Sequence, residues 1–246
     1  MMTQPRAIFF DLGKTLLYPK VPWQPVLLRS DKALAENLCE HDVEVDCESF
    51  PYEFFSRLNE YYAYRDETLR ETTAFGLLRH LLDEKGFRDL PAPVLRAALD
   101  AKYAITQSNW HLEEDAHPTL RALKLNGYKL ALLSNAADDP DVQAQLDQHS
   151  LRPYFSFIRT SAACGYRKPH PHIFEEALNN LGLFPEQCVM VGDTLKADIE
   201  GANKMGIYSV WINLRVNKQT KTLVDIRPRA VIQALSELPD LLQNLP

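Results

Sequence analysis

The sequence predicts an α/β protein with a doubly wound, Rossmann-like parallel sheet and an inserted bundle of α-helices. From about residue 112 onward, short apolar runs typical of buried strands alternate with helix-like patterns. Between about residues 24 and 108, apolar residues recur instead at three- and four-residue spacing, and no strand-like run interrupts them. We therefore expect a core formed by residues 1–20 and 112–246 and a helical domain formed by residues 21–111.

The strands of the core are indicated by apolar runs that are too short to be helices. The first is predicted over residues 6–11, and later ones at 128–134, 157–160, 188–191, 208–212 and, more weakly, 230–232. Helical patterns separate the later strands at 117–126, 139–150, 172–182 and 196–205. Strands that alternate with helices of this length are joined by right-handed crossovers, so we expect them to form one parallel sheet.

The inserted segment shows four helical patterns, centred on residues 26–38, 54–62, 75–82 and 94–103. Amphipathic helices of this kind bury their apolar faces against one another, which predicts a small bundle. Trp23 and Trp110 mark the approximate positions at which the chain leaves and re-enters the core.

Composition excludes several kinds of partner. The net charge of −6, without a long run of Lys or Arg, argues against nucleic acid or an anionic membrane surface. No segment approaches the length of a membrane-spanning helix, and the first residues lack the features of a signal peptide. The cysteines at positions 39, 47, 164 and 188 lack metal-binding spacing, so we expect four free thiols in a reducing compartment. These features favour a soluble, cytoplasmic monomer or homodimer.

Polar residues follow three of the predicted strands, namely Asp11, the pair Ser134-Asn135, and Asp193. Lys168 lies just before another predicted helix. The carboxyl ends of parallel strands meet at one edge of the sheet, so these side chains are expected to surround one ligand. Asp11 can attack phosphorus, the Ser134 hydroxyl and Lys168 can hold phosphoryl oxygens, and Asp11 with Asp193 can bind Mg²⁺.

These motifs resemble those of the haloacid dehalogenase superfamily, in its branch with a helical cap inserted after the first strand. The resemblance covers nearly the whole chain, and the matching motifs follow one another in the expected order. They are Asp11…Thr15-Leu16, then Leu133-Ser134-Asn135, then Arg167-Lys168-Pro169-His170-Pro171, then Gly192-Asp193-Thr194-Leu195-Lys196-Ala197-Asp198. Most members of this family are Mg²⁺-dependent phosphatases that act through an aspartyl-phosphate.

The resemblance implies a role for each matching residue. Catalysis would depend on the nucleophile Asp11 and on Lys168. Phosphate would be bound by Ser134, Asn135, Lys168 and Thr15, and Mg²⁺ by Asp11, Asp193, Asp198 and the backbone carbonyl of Gly13. The substrate would be a small phosphorylated metabolite, and a mobile helical cap would close over it and carry specificity.

The sequence departs from the family pattern at Gly13, where phosphatase members usually have a second Asp that transfers protons. The Gly that usually follows is Lys14. A glycine still offers a carbonyl to the metal but cannot act as a general acid or base, whose help is worth ~10²–10⁴-fold in rate. We therefore expect slow turnover, or turnover restricted to good leaving groups. A substitute base from the cap or from Lys14 is a less favoured explanation, because an ordinary lysine is a poor base at neutral pH.

Two alternatives stay open at this point. One is a catalytically impaired phosphate-binding or regulatory protein on the same fold. The other, less favoured, is a phosphonate hydrolase, whose family relatives use a cap lysine as a Schiff base. The helical segment contains Lys32, Lys85 and Lys102, but the sequence singles out none of them for this role. A metal-free dehalogenase is disfavoured, because two carboxylates at positions 193 and 198 suit a cation and not a halide.

Overall fold

The computed structural model describes residues 4–215 and 225–245. Within these ranges the strands are β1 (Ala7–Phe10), β2 (Leu17–Pro19), β3 (Trp110–Leu112), β4 (Lys129–Ser134), β5 (Phe157–Thr160), β6 (Cys188–Gly192), β7 (Tyr208–Ile212) and β8 (Ala230–Ile232). The helices are α1 (Trp23–Glu40), α2 (Phe50–Thr68), α3 (Ala74–Glu84), α4 (Ala92–Gln107), α5 (Ala116–Leu125), α6 (Asp139–Gln148), α7 (Ser161–Cys164), α8 (Pro171–Leu181), α9 (Gly201–Met205) and α10 (Leu238–Gln243). A π-helical turn at Leu195–Glu200 precedes α9.

The described chain divides into two compact units. The core unit comprises the described residues within Met1–Tyr18, Leu112–Ala136 and Leu146–Pro246. The helical unit comprises Pro19–His111 and Ala137–Gln145. The short strands β2 and β3, which pair in a two-stranded sheet, contain two of the points at which the chain passes from one unit to the other.

The core unit is built on a six-stranded sheet with the order β5-β4-β1-β6-β7-β8 in its described part, and all the described pairings are parallel. Residues Ala7–Phe10 of β1 are fully buried, as expected for a central strand with both faces covered. Helix α8 packs on one face through Ile173 and Phe174. The predicted α/β fold is therefore confirmed.

The strand order determines where a ligand can bind. From β1 the sheet extends through β4 and β5 in one direction and through β6, β7 and β8 in the other. The chain therefore reverses its direction of winding next to β1. In sheets of this kind, ligands bind at such a switch point, outside the carboxyl ends of the strands.

The helical unit has an apolar core of its own. Leu34 of α1, Phe54 of α2, Leu78 of α3 and Leu99 of α4 are fully buried in one cluster. Lys102, also buried, donates hydrogen bonds to Ser30 and Asp31 between α1 and α4. The spacing of apolar residues in the sequence thus corresponds to the faces on which these four helices pack.

Residues Ala137–Gln145 were expected in the core, but the structure places them in the helical unit. The reason lies in their hydrogen bonds. The Ala137 carbonyl accepts from the Ala74 N–H at 2.7 Å, and the Asp138 carboxylate accepts two bonds from Arg96. Because these partners are distant in sequence, the pattern of apolar residues did not reveal the attachment.

The expectation of four free thiols was wrong. Cys39 and Cys47 are joined by a disulfide, whereas Cys164 and Cys188 are free. After α1 the chain turns back on itself, with the Val43 N–H bonded to the Leu38 carbonyl, and this turn brings the two cysteines together. The pairing removes the cysteine-based argument for a reducing compartment. Separately, none of the helices in the described ranges combines the length and the apolar character that a bilayer-spanning segment needs.

Candidate active site

Three of the predicted site residues lie at the carboxyl ends of neighbouring strands. Asp11 follows β1, Ser134 ends β4, and Asp193 follows β6. The Asp11 N–H donates to the Val191 carbonyl at 3.0 Å, which keeps Asp11 beside the end of β6. The sheet therefore brings these three residues to the edge at which its topology predicts a ligand.

Lys168 lies at the centre of this group, and only 2% of it is exposed. Its Nζ donates to Asp11 Oδ1 at 2.7 Å, to Asp198 Oδ1 at 2.6 Å and to the Leu133 carbonyl at 2.6 Å. Burial disfavours the ammonium, but the charges of Asp11 and Asp198 outweigh it and raise the pKa of Lys168. Lys168 is therefore a charged group whose three N–H donors are all engaged.

Asn135 holds the backbone of Lys168 in place. Its Nδ2 donates to the Lys168 carbonyl at 2.9 Å, and its Oδ1 accepts from the Lys168 N–H at 2.8 Å. The peptide bond from Lys168 to Pro169 is cis. In the structure, the Asn135 side chain therefore holds the backbone of Lys168. The contact between Asn135 and phosphate that the sequence suggests stays a prediction.

Asp198 is buried under the end of β6. Its Oδ2 accepts from the Thr194 N–H at 2.9 Å, so both of its oxygens have a protein donor. A Cβ at Gly192 would lie 2.3 Å from Asp198 Cγ, so only a glycine permits this approach. Asp198 therefore fixes the loop after β6 and pairs with Lys168.

Asp193 is held by two contacts, of which the sequence indicated neither. The Thr194 hydroxyl lies 3.0 Å from Asp193 Oδ1, and the Trp211 indole N–H donates to the Asp193 carbonyl at 2.8 Å. Trp211 can reach this carbonyl because it is the β7 partner of Gly192 in the sheet register. The register between two strands depends on tertiary structure, so no local sequence signal could have identified Trp211.

The carboxylates of Asp11, Asp193 and Asp198 offer oxygens that lie within 4.8 Å of one another. Burial and the charges of Asp11 and Asp198 raise the pKa of Asp193 to about 7. Burial also raises the pKa of Asp198 to about 6, although Lys168 acts in the opposite direction. The cluster thus contains three carboxylates and one buried ammonium. A hard divalent cation with oxygen ligands would supply the missing positive charge, so the donor set fits Mg²⁺.

The remaining predicted ligands differ in their accessibility. Ser134 is buried, and its hydroxyl has no hydrogen-bond partner within the described ranges, which leaves it available to a ligand. Thr15 is fully buried, and its Oγ1 likewise has no partner in that part of the chain. Gly13 forms a β-bridge with Leu17, which shapes the loop after Asp11. The assignment of Thr15 to phosphate and of the Gly13 carbonyl to metal stays a prediction.

The helical unit contains the three lysines that bear on the phosphonate hydrolase alternative. Lys102 is buried against Asp31 and Ser30, Lys85 is paired with Glu53 at 2.6 Å, and Lys32 is exposed on α1. A nucleophilic lysine needs an environment that lowers the pKa of its ammonium group. Lys102 and Lys85 are instead engaged by carboxylates, so neither presents the free amine that a Schiff base requires.

Comparison with known proteins agrees with this geometry. The family description "haloacid dehalogenase-like hydrolase" matches residues 5–206. The chain belongs to this family. As a member of the haloacid dehalogenase-like family it is a hydrolase, and the matched range contains all of the predicted site residues.

Named relatives in the family include phosphatases. Glyceraldehyde 3-phosphate phosphatase from Pyrococcus furiosus is 29% identical, over 99% of this chain and 94% of that protein. Ribulose-1,5-bisphosphate 5-phosphatase from Halopiger xanaduensis is 32% identical, over 83% of each protein. Haloacid dehalogenase-like hydrolase domain-containing protein 3 from Bos taurus is 35% identical, but the match spans only 55% of this chain and 53% of that protein.

The fold is shared with solved structures. The crystal structure of HAD phosphatase from Thermococcus onnurineus matches with a TM-score of 0.64 at 24% identity, over 96% of this chain and 97% of that chain. At this identity the similarity establishes the fold alone.

Proposed function

We propose that this chain is a Mg²⁺-dependent phosphohydrolase that acts on a small phosphorylated metabolite through an aspartyl-phosphate at Asp11. One observation carries the proposal: Lys168 bridges Asp11 and Asp198 at the sheet edge where Asp193 and Ser134 also lie. This cluster contains a nucleophile, positive charge and metal-binding carboxylates around one point.

The proposed reaction has two steps. In the first, an Asp11 carboxylate oxygen forms a bond to phosphorus, the bond from phosphorus to the leaving-group oxygen breaks, and its electron pair stays on that oxygen. In the second, water attacks phosphorus, the bond from phosphorus to Asp11 breaks, and phosphate leaves as the water proton passes to solvent. Asp11, Asp193, Asp198 and the Gly13 carbonyl would hold Mg²⁺, which would supply positive charge against the phosphoryl group.

Each of the other residues has a function in these steps. Lys168 orients the Asp11 carboxylate through Oδ1 and offsets its charge. The Ser134 hydroxyl, at the carboxyl end of β4, would hold a phosphoryl oxygen. Asp198 and Asn135 keep Lys168 in position from its ammonium and backbone sides respectively. The named phosphatases among the relatives support a small sugar phosphate or similar metabolite as substrate.

The test is the hydrolysis of para-nitrophenyl phosphate with Mg²⁺ by wild type and by Asp11→Asn. Because an amide cannot form the aspartyl-phosphate, we expect the variant to lose at least about a thousandfold in kcat. Asp66→Asn, which makes the same chemical change at an exposed position of α2, should leave kcat unchanged. Turnover that survives in Asp11→Asn would contradict the proposal.

A second candidate function is that of a protein that binds phosphate ligands but turns them over poorly. It is favoured by Gly13, because a glycine cannot transfer the protons that turnover requires. The two are separated by Gly13→Asp, which installs a proton-transfer group. If the chain is an enzyme limited by that step, the variant should gain about a hundredfold in kcat. If wild type and variant both bind phosphate in the presence of Mg²⁺ without turnover, the chain is a binder.

A further inference from the structure

His170 lies directly before α8, two residues after Lys168, and the function proposed above gives it no role. Its Nδ1 accepts a hydrogen bond from the His172 N–H at 3.2 Å. Pro171, which has no N–H, occupies the first helical position, so the His172 N–H is the first donor of α8 that needs a partner. The His170 side chain is therefore the N-terminal cap of α8.

The backbone of His170 closes the turn that carries Lys168. The His170 N–H donates to the Arg167 carbonyl at 2.8 Å, so residues 167–170 form a β-turn. Beyond this turn, α8 is anchored to the sheet by Phe174, which is fully buried. His170 thus joins the turn that carries Lys168 to a helix that is fixed on the sheet.

The imidazole of His170 must be neutral to form the cap. An imidazolium carries a proton on both nitrogens, so its Nδ1 cannot accept a hydrogen bond. A positive charge at this end of a helix is also unfavourable, because the helix dipole is positive at its N-terminus. Burial and the charge of His172 lower the pKa of His170, whereas Glu175 acts in the opposite direction. The folded protein therefore favours the capping form.

The titratable side chains that face His170 in the described ranges are Tyr166, His172 and Glu175. Tyr166 stacks on the imidazole with the ring centroids 4.2 Å apart, and the other two reach it from α8. His172 Nε2 lies 3.5 Å from Glu176 Oε1, so His172 has a carboxylate partner of its own. Ser, Asn and Asp are the usual caps, and none of them changes charge between about pH 5 and about pH 8, as a histidine does. A histidine at this position makes the cap depend on pH.

We propose that His170 is a positioning residue for Lys168 and makes the candidate site sensitive to pH. While the imidazole is neutral, the cap holds the first turn of α8, and the β-turn before it presents Lys168 to Asp11. When Nδ1 takes up a proton, the His172 N–H loses its acceptor, the junction loosens, and the hold of Lys168 on Asp11 weakens. The proposal rests on the proposed phosphohydrolase function, because it names a regulation of that same site.

A titration of the folded protein without substrate tests the coupling itself. By NMR the His170 ring should titrate below the ordinary pKa of 6.5, so the cap is complete above that pH and is lost as pH falls through the folded-state pKa. Over the same range, the protection of the His172 and Lys168 amides against hydrogen exchange should fall about tenfold, after correction for the intrinsic effect of pH. His170→Asn keeps an acceptor that does not titrate, so its protection should stay constant.

Activity tests the consequence for the site. We compare kcat/KM for para-nitrophenyl phosphate at about pH 8 and about pH 5, and the ratio between two variants at one pH cancels the titration of the substrate and of the metal-binding carboxylates. Wild type and His170→Asn should be equal at the higher pH, and wild type should be about tenfold lower at the lower pH. His170→Ala has no cap at any pH, so it should be about tenfold below His170→Asn at both.

The possible outcomes separate this inference from the function on which it rests. His80→Asn makes the same chemical change at an exposed position of α3 and should leave both measurements unchanged. One pH profile shared by wild type, His170→Asn and His170→Ala, or amide protection that stays constant while His170 titrates, would overturn the role of His170 and leave the phosphohydrolase function standing. If protection changes as expected but wild type hydrolyses no ester at any pH, the coupling of His170 to Lys168 stands and the phosphohydrolase function is overturned.

Discussion

Among single residues, Asp141 is a half-buried carboxyl of the helical unit that is not part of the candidate site. It accepts hydrogen bonds from Gln107 Nε2 at 2.9 Å and from Gln145 Nε2 at 3.2 Å. Burial nevertheless raises the pKa of Asp141 to about 6. Gln145 Oε1 is also buried and has no hydrogen-bond partner in the described part of the chain. This position therefore favours a neutral group that can both donate and accept.

We predict that Asp141→Asn stabilises the protein at neutral pH. The folded-state pKa of Asp141, about 6, lies above the ordinary value of 3.8, so the folded state binds the proton more tightly. The wild type therefore loses stability as pH rises from about 4 through about 6, and the asparagine variant avoids that loss. The gain above this range should be about 1–3 kcal/mol.

Urea unfolding at about pH 4.5 and about pH 7.5 measures this difference. The variant should exceed wild type in free energy of unfolding at the higher pH and approach it at the lower one. Asp66→Asn, at an exposed position, should show no such pH dependence. An Asp141→Asn protein that is less stable than wild type at both pH values would show that the charged form is the one the site favours.

The candidate site shows which residue roles can be predicted from sequence. Asp11, Lys168 and Asp193 were expected together because each stands at a strand end or helix start, and the sheet does place them at one edge. Neither the use of Asn135 to hold a backbone nor the contact from Trp211 could be predicted. Both depend on loop conformation and strand register, which arise only when distant segments pack.

Among the secondary-structure elements, the strands of the main sheet were predicted almost to the residue. The apolar run at 188–191 corresponds to β6, which spans Cys188–Gly192. A strand that is buried on both faces gives a continuous apolar run in the sequence, and the end of that run marks the end of the strand. The strands Leu17–Pro19 and Trp110–Leu112 were missed. Three residues are too few to show a period, so strands of this length are visible only through their pairing.

The junction between β6 and the π-helical turn depends on one glycine. We predict that Gly192→Ala destabilises the protein by about 1–3 kcal/mol, because the new Cβ would fall 2.3 Å from Asp198 Cγ and force that side chain away. Displacement of Asp198 would also remove a partner of Lys168, so Mg²⁺-dependent turnover should fall with stability.

Urea unfolding and para-nitrophenyl phosphate hydrolysis test this effect. Gly76→Ala is the matched control, because Gly76 lies within α3, where alanine is the better helix former. The nearest atom to the new Cβ would be Thr73 Oγ1, at 3.3 Å. This control should be neutral or slightly stabilising. A Gly192→Ala protein with wild-type stability and activity would mean that the loop after β6 can shift without affecting the site.

At the scale of the whole molecule, the chain passes between the core and helical units more often than the sequence indicated. Two passages lie near residues 18 and 112. At these positions the pattern of apolar residues in the sequence changes from strand-like to helical and back again. The other two passages lie near residues 136 and 146. As a result, α6 begins in the helical unit and ends in the core unit. That helix shows one uninterrupted pattern in the sequence, so nothing local marks the residue at which it changes from one unit to the other.

The division predicts where bound Mg²⁺ acts. All the residues proposed to hold it belong to the core unit, and each unit has its own buried apolar cluster. A ligand that binds only the folded state stabilises it by about 2.7 kcal/mol at a hundred times its Kd. We therefore expect saturating Mg²⁺ to slow amide hydrogen exchange in β1, β6 and the loops that follow them, and to leave α1–α4 unchanged.

The same exchange measurement on Asp193→Asn provides the control. This variant keeps the fold around β6 but removes one of the carboxylates that the cation needs, so Mg²⁺ should no longer protect the core unit. Equal protection of both units by Mg²⁺ in the wild type would mean that they unfold as one cooperative body. Protection that persists in Asp193→Asn would instead place the cation away from the cluster, because a site built on three neighbouring carboxylates cannot lose one and keep its affinity.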